Sequence, residues 1–189
     1  MKKKAFAVTA VILMVSILTI SANAFTISLI QQEKSNWCWA SCCQAVIKML
    51  NPLSTVTQTQ IVIAAKGSAV DEGASLEEVD NVLSNYNVSS DQDFRVLNYQ
   101  IVKQVIDTDC PIMAFCISTG YGIGHDVMVT SYYQISDRQY IGYRDPALPT
   151  GSSVVAFKIS DERFYYDLWV ENPGFYVYCP QECSLINFS

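Results

Sequence analysis

The chain has 189 residues, of which 50% are hydrophobic and 16% charged, with a mean hydropathy of +0.19. This is the composition of a folded globular protein and excludes a disordered one. The formal net charge of −6 becomes more negative still when the three N-terminal lysines are set aside, which argues against nucleic acid as a partner.

Lys2, Lys3 and Lys4 form a basic start, residues 5–20 are almost unbroken apolar, and Ala22-Asn23-Ala24 supplies a small-x-small cleavage site. Residues 1–24 therefore read as a secretory signal peptide. The competing reading is an uncleaved anchor, for which the run is slightly short of a bilayer span. What remains, residues 25–189, is one domain's length, expected to be secreted or periplasmic, monomeric and without stable membrane association after cleavage.

In chain order, Asn36 or Ser35 is placed to cap a helix over 37–50, where Trp39, Cys42, Cys43, Val46, Ile47 and Leu50 recur at helical spacing and Pro52 follows as a stop. Thr57 or Ser54 caps a second helix ended by Gly67, and Ser75 with Glu78 forms a capping box for a third through 85. A short strand over 94–97 precedes a helix over 99–107 that buries Ile101, Val102, Val105 and Ile106. Beyond Pro111, strand-like runs follow at 112–118, 126–133, 139–143, 154–159, 168–171 and 175–178. Helices first and sheet second predict a single α+β domain, a helical lobe on an antiparallel sheet lobe.

Seven cysteines in an exported chain leave at least one thiol unpaired, so one is a candidate reactive group. The other six allow up to three disulfides, among which a local Cys179–Cys183 bridge is geometrically open and a Cys110–Cys116 bridge is not. Their spacing lacks paired C-x-x-C, and with a single histidine neither a metal site nor any cofactor is expected.

The one imidazole is His125, which follows a glycine-rich loop and opens a strand, a position that suits a general base facing a cleft. Cys38 stands at the start of the first helix, where unpaired N–H groups and the positive end of the helix dipole favour the thiolate. Cys42 and Cys43, a turn further on, belong to the packed face or to a disulfide. Gln32, six residues before Cys38, is close enough to return its amide N–H₂ to the thiol and hold an oxyanion with the Cys38 main-chain N–H; Gln31 is the alternative. Asp145, ending the strand after the one His125 opens, is placed to orient the imidazole, whereas strand alternation turns the adjacent Asp126 to the opposite face. Trp37 and Trp39 are read as packing, with Trp37 also a candidate cleft wall.

Gln32-x5-Cys38-Trp39-Ala40, then Gly124-His125, then Asp145-Pro146 resembles the papain-like cysteine proteases, and is similar to their compact secreted bacterial members, the avirulence-effector proteases. The resemblance implies a two-lobed fold with the cleft between helix and sheet. It implies Cys38 as nucleophile, His125 as base, Asp145 as orienting residue and Gln32 as oxyanion donor, acting on a protein or peptide substrate. Papain itself carries Asn as the orienting residue and has a long pro-segment, and this chain departs from it in both. The alternatives are a catalytically inactive papain-like binding module and a thiol amidase or transferase on the same frame.

Overall fold

The computed structural model describes residues 20–24, 26–93, 98–117, 124–152, 155–158 and 174–178. Four helices, α1 (Cys38–Leu50), α2 (Gln58–Lys66), α3 (Leu76–Asn85) and α4 (Tyr99–Ile106), accompany seven strands. The strands are β1 (Ile20–Ala24), β2 (Ser90–Asp93), β3 (Ile112–Ile117), β4 (Gly124–Ile135), β5 (Arg138–Arg144), β6 (Val155–Lys158) and β7 (Gly174–Tyr178). They form one antiparallel sheet in the order β2-β7-β3-β4-β5-β6.

The long strand β4 organises this sheet. Its first half pairs with β3, from Gly124 opposite Ile117 to Val129 opposite Ile112. The second half, which β3 is too short to reach, pairs on the same side with β1, from Ser131 opposite Ala24 to Ile135 opposite Ile20. The other side carries β5, with a bulge between Val129 and Ser131.

The chain adopts the α+β class, and among the described residues the expected helices and strands follow in order apart from β1 and β2. Thr57 and Ser75 close capping boxes with Gln60 and Glu78, and Gly67, at φ 76°, ends α2 in the left-handed region that glycine enters without a Cβ penalty. One cap differs from expectation. Helix α1 begins at Cys38 behind Trp37, with no side-chain cap, because Asn36 gives its side-chain amide and its main-chain N–H to Asp71 instead.

Two strands escape the hydrophobic pattern. β2 is Ser-Asp-Gln-Asp, which has no apolar alternation and is held by main-chain pairing to β7. β1 lies in the segment read as a signal peptide. The strands expected over 94–97 and 168–171 fall outside the described residues.

The core joins α1, α2 and α3 to one face of the sheet. Trp39, Cys42, Cys43, Val46 and Ile47 of α1 pack with Ile61, Val62, Val79, Val82 and Leu83 and meet Met113 and Met128. The N-terminal end of α1 meets β4, with Cys38 against Asp126. α4 packs on β4 through the edge of Tyr99 against Tyr132, with ring centroids 5.5 Å apart. Among the described residues no helix is long and apolar enough to cross a membrane.

The cysteines fall short of the upper expectation of three disulfides. Cys42 and Cys43 are unbridged thiols with no exposure, buried in the packed face of α1. Cys110 is buried beside Thr108, whose hydroxyl donates to its sulfur at 3.3 Å. The side chains of Cys116, Cys179 and Cys183 lie outside the described residues, so a bridge between Cys179 and Cys183 lies there too.

Candidate active site

Cys38, His125 and Asp145 come together where the first turn of α1 meets the opening of β4 and the end of β5. Cys38 is the first residue of α1 and only 6% exposed. With no side chain capping the helix, its first-turn N–H groups face the thiol's surroundings, and an anion there is favoured.

His125 is held from two sides. Its Nε2 lies 2.7 Å from Asp145 Oδ1, and a hydrogen bond with the Cys38 side chain also raises its pKa. Burial pushes the imidazole pKa down, but the bonds to Asp145 and Cys38 and the charges behind them outweigh it and take it up to about 10. The site therefore favours imidazolium. Asp145 Oδ1 also accepts from the Ala147 N–H at 2.8 Å, which fixes the carboxylate in its turn.

Gln32 is placed beside the site but its amide is otherwise engaged. Its Nε2 donates to the carbonyls of Lys34 at 2.9 Å and Ser35 at 2.8 Å, and its Oε1 is buried without a partner among the described residues. Two carbonyls facing one end of the amide require the NH₂ there. In this state Gln32 shapes the loop that leads into Cys38 rather than pointing a donor at the sulfur. Gln31, the alternative, binds the Thr150 hydroxyl and the Ala147 carbonyl.

Three further residues shape the site, in contacts that the sequence pattern does not show. Strand alternation turns Asp126 away from His125, and it does not orient the imidazole. It lies instead against the nucleophile candidate: the Cys38 thiol donates to its Oδ2 at 3.8 Å. Gln58, fully buried in α2, accepts from the Glu33 N–H and donates to the Gln31 carbonyl, each at 2.9 Å, and so holds the main chain on both sides of Gln32. Gly124 leaves room for the Phe115 ring, since a Cβ there would stand 2.4 Å from two ring carbons.

Trp37 and Trp39 are both 1% exposed, and their indole N–H groups reach the carbonyls of Val70 and Glu72. They pack and do not line an open cleft. An open groove does run beside the site, lined by Gln31, Gln32, Lys34, Ser35, Asp71 and Ala147. Cys42 and Cys43 stay protonated, because burial first and nearby Asp126 second push their pKa values well up. No cluster among the described residues is fit to hold a metal ion.

A helix-borne thiol facing a histidine on an antiparallel sheet is the architecture of a papain-like cysteine peptidase. The sequence profile of the family described as "Papain-like cysteine protease AvrRpt2" matches residues 21–161, and the chain belongs to that family. No curated protein matches the chain in sequence. Among solved structures it is similar to a double glycine motif protease from an AMS/PCAT transporter in complex with its leader peptide. That match has 16% identity and a TM-score of 0.53, and covers 83% of this chain and 95% of that one. It is also similar to UfSP from C. elegans, at 11% identity and a TM-score of 0.53, over 85% of this chain and 34% of that one. At these identities the solved structures speak for the fold.

Proposed function

We propose that the protein is an exported peptidase that hydrolyses peptide bonds through Cys38, His125 and Asp145 by way of a thioester acyl-enzyme. The observation that carries this is the single histidine of the chain, held by Asp145 at 2.7 Å on one side and by the Cys38 thiol on the other. The Cys38 thiolate attacks the peptide carbonyl, and the imidazolium of His125 protonates the leaving amine. Neutral His125 then takes a proton from the water that opens the thioester.

The oxyanion is met by the Cys38 main-chain N–H at the uncapped end of α1. Gln32 joins it when the substrate draws one of its N–H groups away from the Lys34 and Ser35 carbonyls. A peptide substrate fits the groove beside Gln32, and the transporter protease of the same fold holds a leader peptide. Export is supported by the basic, apolar and small-x-small order of residues 1–24.

The test is iodoacetamide labelling of the non-reduced protein at mildly acidic pH, with the adduct located by mass spectrometry, beside turnover of a peptide library. Rapid labelling confined to Cys38 is expected, lost together with turnover in a folded His125→Ala variant, and turnover is expected to vanish in Cys38→Ala. An inert Cys38, or peptide hydrolysis that survives in either variant, would refute the reading.

A further inference from the structure

Asp126 is a carboxyl with no evident structural purpose. It is only 6% exposed, its Oδ2 is the acceptor for the Cys38 thiol, and its Oδ1 has no hydrogen-bond partner among the described residues. An ionised carboxylate is poorly served by such surroundings, since one oxygen has lost water and gained nothing.

The charges around it sharpen the problem. The titratable groups facing Asp126 are Cys38, Cys42 and Cys43 from α1 and His125 from its own strand, with Asp145 at the end of β5 acting on the same cluster. Cys42 and Cys43 are neutral, and His125 is the one cation in this set, already matched by Asp145 at 2.7 Å. A Cys38 thiolate beside an ionised Asp126 would leave two unmatched negative charges in a buried site. Keeping one proton between them leaves a single one, at the end of α1 that favours an anion.

Resting on the reading of Cys38 as nucleophile, we propose that Cys38 and Asp126 share one proton, and that Asp126 in its neutral form donates a hydrogen bond to the thiolate. The exchange balances internally: the S–H bond breaks as the Oδ2–H bond forms, and the negative charge passes from carboxylate to sulfur. Geometry and burial agree with the titration of the group, which desolvation raises to about 7 against the opposing pull of His125 and Cys38. Asp126 thereby acts on the reacting sulfur itself, while Asp145 acts through the imidazole.

Two interacting groups release their protons in two macroscopic steps. The rate of Cys38 alkylation by iodoacetamide, followed against pH on the full chain, is therefore expected to show a second step near neutral pH in the wild type. Asp126→Asn, which donates a hydrogen bond and cannot ionise, is expected to lose that step and keep the first. Infrared difference spectra of the wild-type protein before and after alkylation supply a measurement that needs no variant. A neutral carboxylic-acid band that shifts when Cys38 is alkylated is expected.

Coincident single-step profiles for wild type and a folded Asp126→Asn, or the absence of an alkylation-sensitive neutral-carboxyl band, would overturn the shared proton. Failure of the underlying reading looks different, because labelling of Cys38 would then be unaffected by His125→Ala. His125-dependent labelling with identical wild-type and Asp126→Asn profiles removes only the role of Asp126.

Discussion

At the scale of single residues, the partnership of His125 and Asp145 sets the charge state of the site. Because His125 is the only histidine, its ring signals in a proton NMR titration need no assignment. They are expected to titrate near 10 rather than at the ordinary 6.5. Asp145→Asn keeps the size of the side chain but removes the anion, so the imidazolium is held less tightly. The titration should fall toward 6.5, and the alkaline limit of peptide turnover should fall with it. An unchanged titration in that variant would mean that Asp145 does not hold the imidazolium. These residues were legible in the sequence because each chemical role narrows to few side chains: one imidazole, one thiol at a helix start, one carboxylate closing the next strand. Asp126 was not, because strand alternation describes how β4 presents its side chains to a flat neighbour. It does not foresee that the first turn of α1 lies over the strand's opening residues and meets both Asp126 and His125.

At the scale of elements, the site depends on segments that carry no chemistry. Gln58 of α2 grips the main chain before and after Gln32. Gln58→Ala would free that loop while leaving α1 and β4 in place, so peptide turnover should drop at least tenfold while labelling by the small reagent iodoacetamide stays within a factor of about two, a contrast that separates oxyanion-loop order from thiol activation. Gly124→Ala drives a methyl group into the Phe115 ring, and either that ring or the start of β4 must move. Since His125 is the next residue, turnover is expected to fall with His125 displaced, measurable as a shift in its NMR titration. Thr57→Ala, which opens the capping box of α2, should cost about 1 kcal/mol in denaturant unfolding. The capping boxes of α2 and α3 could be read from the sequence because they are local, complete within four residues. The absence of a cap on α1 could not, since it depends on Asp71 claiming Asn36 from a distant segment.

At the scale of the whole molecule, a buried group and a half-buried one tie stability to pH in the same direction. Asp126 and His125 both have folded pKa values above their ordinary ones, to about 7 from 3.8 and to about 10 from 6.5. The folded state therefore binds these protons more tightly than the unfolded chain. Their stabilisation is fully present below the ordinary values and is lost as pH rises through the folded ones. Melting temperatures recorded from pH 4 to pH 7 should decline more steeply in the wild type than in Asp126→Asn, and equal slopes would contradict the burial of a protonated Asp126. A second whole-molecule consequence concerns β1, which pairs with Ser131–Ile135 of β4. Cleavage after Ala24 would remove this strand and open that edge. A chain starting at residue 25 should melt at a lower temperature than the full chain yet keep rapid labelling of Cys38, because β1 lies on the half of β4 remote from His125.

The sequence by itself determined the fold class and most of the order of helices and strands, and it nominated the thiol, imidazole and carboxylate, because periodicity, capping and the scarcity of chemically competent side chains are all local properties. The tertiary structure decided what those residues touch. That Gln58 anchors the loop of Gln32, that Cys42 and Cys43 are packed thiols rather than bridges, and that Asp126 meets the Cys38 thiol all follow from close packing between segments far apart in the chain. Contacts of that kind are set by how distant segments pack against one another, for which residue order carries no signal.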